Sequence, residues 1–327
     1  MQGTGQISLR ARDILSMSQL RKSLERKAFN KFRPAVEGGC IPLHLPSRER
    51  ESAVFILPAI GSPVKELELP SDVRKHADSI ARSENDKLRE RGVAGPWIDG
   101  DKLSVWSMGY IGSDISIFVK KMKWSEVLAI RELDFGHIAA MGAFRLGINN
   151  HLVAQDGGHP VIVLTMKGSR PGNPRMGDAM IKGAGEKEGQ LMTSVSGSID
   201  ASLERKAGGL GLWHLGVATE MAEELGVSVR GSLKYLGTMI DASMYRGTIT
   251  IAGMAETDLS LLQIDELREC APDGTEIKSI EPLPLEPEAV SSALSRRRGE
   301  MQPQLITALA LLGYGLWGYD FLKKADK

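Results

Sequence analysis

The sequence predicts an α/β fold: a mixed, mainly small sheet sandwiched between helices, with an α+β extension ahead of it. Three observations carry that expectation. The segments HPVIVLTMKGSR, LMTSVSGSID and YRGTITIAGMAETD combine β-branched and apolar residues with turn residues at their ends, as strands do. Between the second and third lies TEMAEELGV, whose apolar and acidic residues recur at helical spacing. The chain has 327 residues, 42% hydrophobic and 25% charged, enough for a substantial core in one or two domains.

Residues 1–35 form a basic amphipathic segment. Arg10, Arg12, Arg21, Lys22, Arg26, Lys27, Lys31 and Arg33 stand against only Asp13 and Glu25. Ile14, Leu15, Met17, Leu20 and Leu24 make an apolar stripe of helical period. The segment has no continuous hydrophobic run and does not read as a secretory signal. A transit peptide and an ordinary surface or partner-binding helix both fit its composition.

Residues 36–147 read as an N-terminal α+β region. ESAVFILPAIG predicts a short buried strand, and DVRKHADSIARSENDKLRERG an exposed helix ended by glycine. LSVWSMGYIG and DISIFVKKMKW alternate as a β-pair does, and WSEVLAIRELDFGHIAAMGAFRLG predicts a helix. No chemical motif stands out here. Trp97, Trp106 and Trp124 suit core packing, with base stacking as the alternative.

Residues 148–327 make up the remaining domain. GSRPGNPRMGDAMIKGAGEKEG is rich in glycine and charge and predicts a loop, whereas SVRGSLKYLGTMI predicts a strand. LITALALLGYGLWGYD runs uncharged from Leu305 to Tyr319, short of the roughly twenty apolar residues of a membrane span, and predicts a packed terminal helix. No membrane association is expected.

The chemistry concentrates in TEMAEELGV. Glu220, Glu223 and Glu224 fall within one arc of a helix, while Val217, Met221 and Leu225 point to another side. Gly226 suits the left-handed residue that ends such a helix. Like charges at this spacing repel by a few tenths of a kcal/mol per pair, a cost that divalent cations would remove. A solvated helix face is the plain alternative.

The same stretch resembles the second half of the signature of the Nudix hydrolase superfamily. Thr219-Glu220-Met221-Ala222-Glu223-Glu224-Leu225-Gly226-Val227 follows its Arg-Glu-hydrophobe-x-Glu-Glu-x-Gly-hydrophobe pattern except at Thr219, where the family has arginine. The opening glycine is best placed at Gly197, which gives a degenerate, expanded signature over residues 197–227. SLERKAGGLGLWH, within the loop over residues 201–214, then looks like an insertion of eight residues inside the signature, and both Asp200 and Glu204 are candidates for the family's mid-loop glutamate.

That resemblance implies a Nudix-like α/β/α sandwich and a metal-dependent pyrophosphohydrolase that cleaves a phosphoanhydride in a nucleoside-diphosphate-linked or related substrate. It implies Mg²⁺ or Mn²⁺ as cofactor, with Glu220, Glu223 and Glu224 as metal ligands. Glu220, Glu224 and Glu256 are the catalytic candidates; Glu256 also reads as an exposed acid at a strand end. Lys167, Arg170, Gly197 and Trp213 fall on the substrate side of this reading. Solvated charge is the alternative for Lys167 and Arg170, and a core anchor the alternative for Trp213. By the same resemblance, the N-terminal region shapes the pocket or builds a homodimer.

Thr219 and the broken signature favour a second reading, a non-catalytic Nudix-fold module that binds a nucleotide, RNA or protein partner. A prenyl-diphosphate isomerase would need a catalytic cysteine near the site, and Cys40 and Cys270 lie outside the signature. Forty-one basic and forty-one acidic residues leave no net charge and point to no nucleic-acid partner. Two distant cysteines suit reduced thiols in a cytoplasmic protein.

Overall fold

The computed structural model describes residues 7–10, 40–46, 52–59, 64–111, 114–168, 188–229, 231–241, 247–318 and 320–322. The expected apolar stripe from Ile14 to Leu24 and the glycine-rich stretch that includes Arg170 lie outside the described residues.

The N-terminal region supplies strands β1 (Ile7–Arg10), β2 (Cys40–His44) and β3 (Val54–Pro58), then helix α1 (Ser71–Glu90). Strands β4 (Asp101–Ile111) and β5 (Asp114–Lys123) follow as the expected antiparallel pair. The single helix expected next is two short ones, α2 (Trp124–Arg131) and α3 (Phe135–Met141). Gly142, at φ 63°, turns the chain left-handed after α3, and the rest of the expected helix is strand.

That strand is β6 (Phe144–Asp156), followed by β7 (His159–Lys167), β8 (Leu191–Met192) and β9 (Val195–Ser198). Helix α4 runs from Glu204 to Leu225, entered through a 3-10 turn at Ala201–Leu203. The expected inserted loop at 201–214 is therefore helical. Gly208, Gly209, Gly211 and Gly216 each oppose helix by about 1 kcal/mol relative to alanine. Leu212, Trp213, Val217, Met221 and Leu225 are buried along the helix, and each such burial contributes about 1.5–3 kcal/mol. Packing outweighs propensity.

Beyond α4 come β10 (Lys234–Asp241), β11 (Thr248–Ser260), α5 (Leu261–Cys270), β12 (Ile277–Pro284), α6 (Pro287–Arg296) and α7 (Pro303–Trp317). The strand expected from Ser228 starts only at Lys234. The apolar C-terminal run is α7, with its residues from Gln304 to Gly313 all buried. Among the described residues, no helix is long and apolar enough to cross a membrane.

The sheet is mixed and larger than expected, with twelve strands. Its centre is β6. One edge of β6 pairs in parallel with β11, from Arg145 opposite Thr248 to Gln155 opposite Ser260. The other edge is shared in turn by β4 at Phe144 and Arg145, β9 from Gly147 to Asn150, and β7 from Leu152 to Asp156, all antiparallel. The two-residue junction with β4 continues the sheet into β5 and β3, which accounts for the added strands.

Helices cover both faces. Trp213, Val217 and Met221 of α4 share a cluster with Ile148, Leu152 and Ile251 of the sheet. On the other face, Leu305, Leu309 and Leu312 of α7 cluster with Val153, Met239 and Met254. The resulting layers are helix, sheet, helix, with β9 and the acidic side of α4 meeting at one corner.

Candidate functional site

The corner is built around the last two turns of α4. Gly226, at φ 67°, closes the helix: its N–H donates to the Ala222 carbonyl, and the Val227 N–H donates to Met221. A side chain on Gly226 would also press on the Leu267 carbonyl of α5, at 2.7 Å. The helix end is thus fixed against α5, and the glutamates just before it inherit that position.

Glu220 leans over β9. Its carboxyl occupies the space that any Cβ at Gly197 would need, so the strand's missing side chain is filled by the helix's acid. The residue is partly buried, and its carboxyl is the inward end. Burial pushes that carboxyl up to about 8. The Lys102 charge opposes the shift, and Glu223, Glu276 and Asp273 add to it. Glu223 is exposed and raised as well, first by desolvation, then by Asp273, with Lys102 again opposing and Asp200 and Glu276 reinforcing. Glu224 is half-buried beside them on the same helix.

Asp200 and Glu204, both open as the mid-loop acid, part company. Asp200 Oδ1 accepts from the Ser202 N–H at 2.8 Å, and its Oδ2 lies 3.3 Å from Lys102 Nζ. Partial burial would raise the Asp200 carboxyl, but Lys102 and Ser202 hold it below the usual carboxylate range. Its charge reaches Glu223. Glu204 Oε2 instead accepts from the Val64 N–H at 3.1 Å.

Two further acids arrive from the other side. The Asp273 N–H donates to the Glu223 carbonyl at 2.8 Å, and desolvation raises the Asp273 carboxyl. Glu276 is buried just before β12, where its Oε2 lies 3.6 Å from Lys167 Nζ. Five carboxylates, those of Asp200, Glu220, Glu223, Asp273 and Glu276, therefore share the corner with the ammoniums of Lys102 and Lys167.

The remaining expected residues fall elsewhere. Trp213 is buried, edge-on to Tyr235 at 6.2 Å, and its ring fills the space above Gly253. Glu256 is exposed on β11; strand alternation puts it on the side of Met254, away from the face that α4 covers. The Thr219 hydroxyl donates to the Leu215 carbonyl one turn back, at 2.8 Å.

Hard carboxylate oxygens in excess of positive charge match the chemistry of a magnesium-like cation. Burial first, and then the neighbouring acids, raise the carboxyls of Glu220 and Glu223. Among the described residues, no three His, Cys, Asp or Glu side chains converge as a ready-made cage. The fit is one of charge and ligand type.

Sequence reasoning missed Lys102, Asp273 and Glu276. None has a periodic signal, because each reaches the corner through pairing between distant segments. Lys102 bridges Asp200, and Ile277, just after Glu276, pairs with Lys167.

No protein-family model matches the chain. No curated protein matches it either. Among solved structures, DR0079 from Deinococcus radiodurans is 16% identical over 52% of this chain and 83% of its own, with a TM-score of 0.32. A mutT/nudix family protein from Listeria innocua is 15% identical over 51% of this chain and 90% of its own, at TM-score 0.31. The Nudix domain of Shewanella oneidensis NrtR, solved with ADP ribose, is 12% identical over 44% of this chain and 74% of its own, at TM-score 0.26. These likenesses are partial and distant, and the residues of the corner carry the reading of function by themselves.

Proposed function

We propose that the chain is a Nudix-type, metal-dependent hydrolase acting on a phosphoanhydride of a nucleoside-diphosphate-linked or related substrate. The observation that supports it is the carboxyl of Glu220, raised to about 8 over Gly197 in a corner with four further acids. A protein that only needed a solvated helix face would not gather acids from α4, its entry turn and the segment before β12 into one place.

Glu220, Glu223 and Glu224 would hold Mg²⁺ or Mn²⁺, with Asp200 as the mid-loop acid. Bound there, such an ion would supply positive charge for the phosphates and lower the pKa of a water. The chain's own groups do the rest. Glu220 or Glu224 takes the proton of the attacking water, and Glu220, raised to about 8, is near the range in which a carboxylate is a serviceable base. Lys167, beside Glu276, would meet a phosphate oxygen. The reading requires neither Glu256 nor Trp213.

The test is phosphate or nucleotide release from a panel of diphosphate-linked substrates, with Mg²⁺, Mn²⁺ or a chelator. Turnover should need the metal and fall on the order of a hundredfold or more in Glu220→Gln and Glu224→Gln. Metal-independent turnover, or variants as active as the parent, would remove these glutamates from the mechanism.

One observation favours a second reading. Thr219 spends its hydroxyl on Leu215 and cannot brace the glutamates as an arginine would. A module that binds a nucleotide, RNA or protein partner without turnover would show saturable binding with intact substrate recovered.

A further inference from the structure

Lys102 is held at the acid corner from both sides. On one side β4 pairs it with Met122 of β5. On the other it bridges Asp200, and the Leu103 N–H donates to the Ile199 carbonyl at 3.1 Å. With the backbone fixed twice, the side chain has one direction to go. It is 19% exposed, and its Nζ lies 3.3 Å from Asp200 Oδ2. The same charge acts on Glu220 and on Glu223. One ammonium from β4 is therefore paired with Asp200, in the turn before α4, and within electrostatic reach of Glu220 and Glu223 in its last turns. Lys167, the other ammonium of the corner, is engaged by Glu276 at 3.6 Å.

We infer that Lys102 is a tethered counter-cation: its ammonium pairs with Asp200 beside Glu220 and Glu223 when no divalent ion is bound, and gives way when one arrives. The inference rests on the corner being the cation site proposed above. Its physical basis is competition for the same oxygens. A divalent ion draws twice the attraction of an ammonium, and two cations on one set of carboxylates repel each other. A lysine can yield, because its charge is a point at the end of a flexible four-carbon stem. An arginine fork, bound to a carboxylate through two parallel hydrogen bonds, would resist displacement.

A simple bracing role for Lys102 predicts the opposite sign. If the ammonium aligns the carboxylates for the ion, removing it weakens ion binding; if it competes, removing it strengthens binding.

The experiment is Mn²⁺ binding to the full chain, followed by electron paramagnetic resonance at fixed pH and ionic strength. Lys102→Met and Lys102→Gln should bind about tenfold more tightly than the parent or better, and Lys102→Arg should bind more weakly than the parent. Weaker or unchanged binding in both neutral variants overturns the inference. Binding by the neutral variants but not by the parent supports it while counting against a metal-dependent hydrolase in the native chain. Equal binding in all four proteins overturns it and leaves the hydrolase reading intact, and no binding in any overturns both. Should the neutral variants fail to fold, the parent answers alone. Its Lys102 should be acetylated several-fold faster by an amine reagent when Mg²⁺ is added, as read by mass spectrometry, and an unchanged or slower rate overturns the inference.

Discussion

The carboxyl of Glu220 lies where the side chain of residue 197 would be, so α4 and β9 are fitted to each other through an acid and a glycine. The pair explains why a strand beside the site carries glycine, and it gives a sharp test. In Gly197→Ala, the three atoms nearest the methyl group would all belong to the Glu220 carboxyl, the far end of a side chain that can swing aside. Stability should therefore change by less than about 1 kcal/mol in chemical denaturation. Mn²⁺ affinity should nonetheless drop on the order of tenfold, because the displaced carboxylate is the one at the centre of the cluster. A large stability loss with intact Mn²⁺ binding would separate Glu220 from the cation site.

Charge at that position works against the metal-free fold. Glu220 faces Glu223, Glu276 and Asp273, and Lys102 opposes them. Glu220→Gln keeps the shape and removes the charge. In chelator at pH above 8, the variant should be more stable than the parent by a few kcal/mol, at about 1.4 kcal/mol for each pKa unit between the usual carboxylate value and about 8. It should also lose most of the rise in melting temperature that Mg²⁺ gives the parent. A variant less stable than the parent under chelator would mean that the ionised carboxylate is well paired where it stands.

The helix, its acids and its terminating glycine were legible because all are local. The three-and-four spacing of Glu220, Glu223 and Glu224 and the left-handed need at Gly226 lie within a few residues of each other. The β4–β5 pair was legible for the same reason. The N-terminal half of α4 was not, since its glycines speak for a loop and only burial of Leu212, Trp213 and Val217 against the sheet decides otherwise. The acid and base partners were out of reach for a further reason. Lys102 is 98 residues from Asp200 in the chain, and a register between strands sets their meeting. The start of β6 at Phe144 was hidden in the same way, because Ala143 and Phe144 continue the apolar spacing of α3 and only Gly142 marks the change.

The end of α4 should be more sensitive to substitution than its middle. Gly226 adopts φ 67°, and a Cβ there would come within 2.7 Å of a backbone carbonyl, that of Leu267. Neither the strain nor the contact can be relieved by a side-chain rotation. Gly226→Ala should lose about 1–3 kcal/mol, the range for forcing an ordinary residue into this conformation. Gly197→Ala supplies the control, a glycine near the site whose obstacle is a movable side chain. Equal losses in the two variants would show that α5 does not fix the helix end.

Acid sensitivity should come in part from a residue far from the corner. His151 is buried on the α7 side of β6, and burial pushes its imidazole down to about 4. The Ala308 backbone opposes that shift. A histidine lowered in the folded state is neutral there while the unfolded chain takes up a proton near 6.5. The unfolded state therefore binds more protons between the two values, and stability falls as the pH drops from about 6.5 to about 4. Over that window the contribution is roughly 3 kcal/mol, taking about 1.4 kcal/mol for each pKa unit. His151→Phe keeps a ring of similar shape and cannot charge. Denaturant melts at pH 4.5 and 7 should show the parent losing more stability than the variant. If the two proteins lose the same amount, the imidazole is not held neutral in the fold.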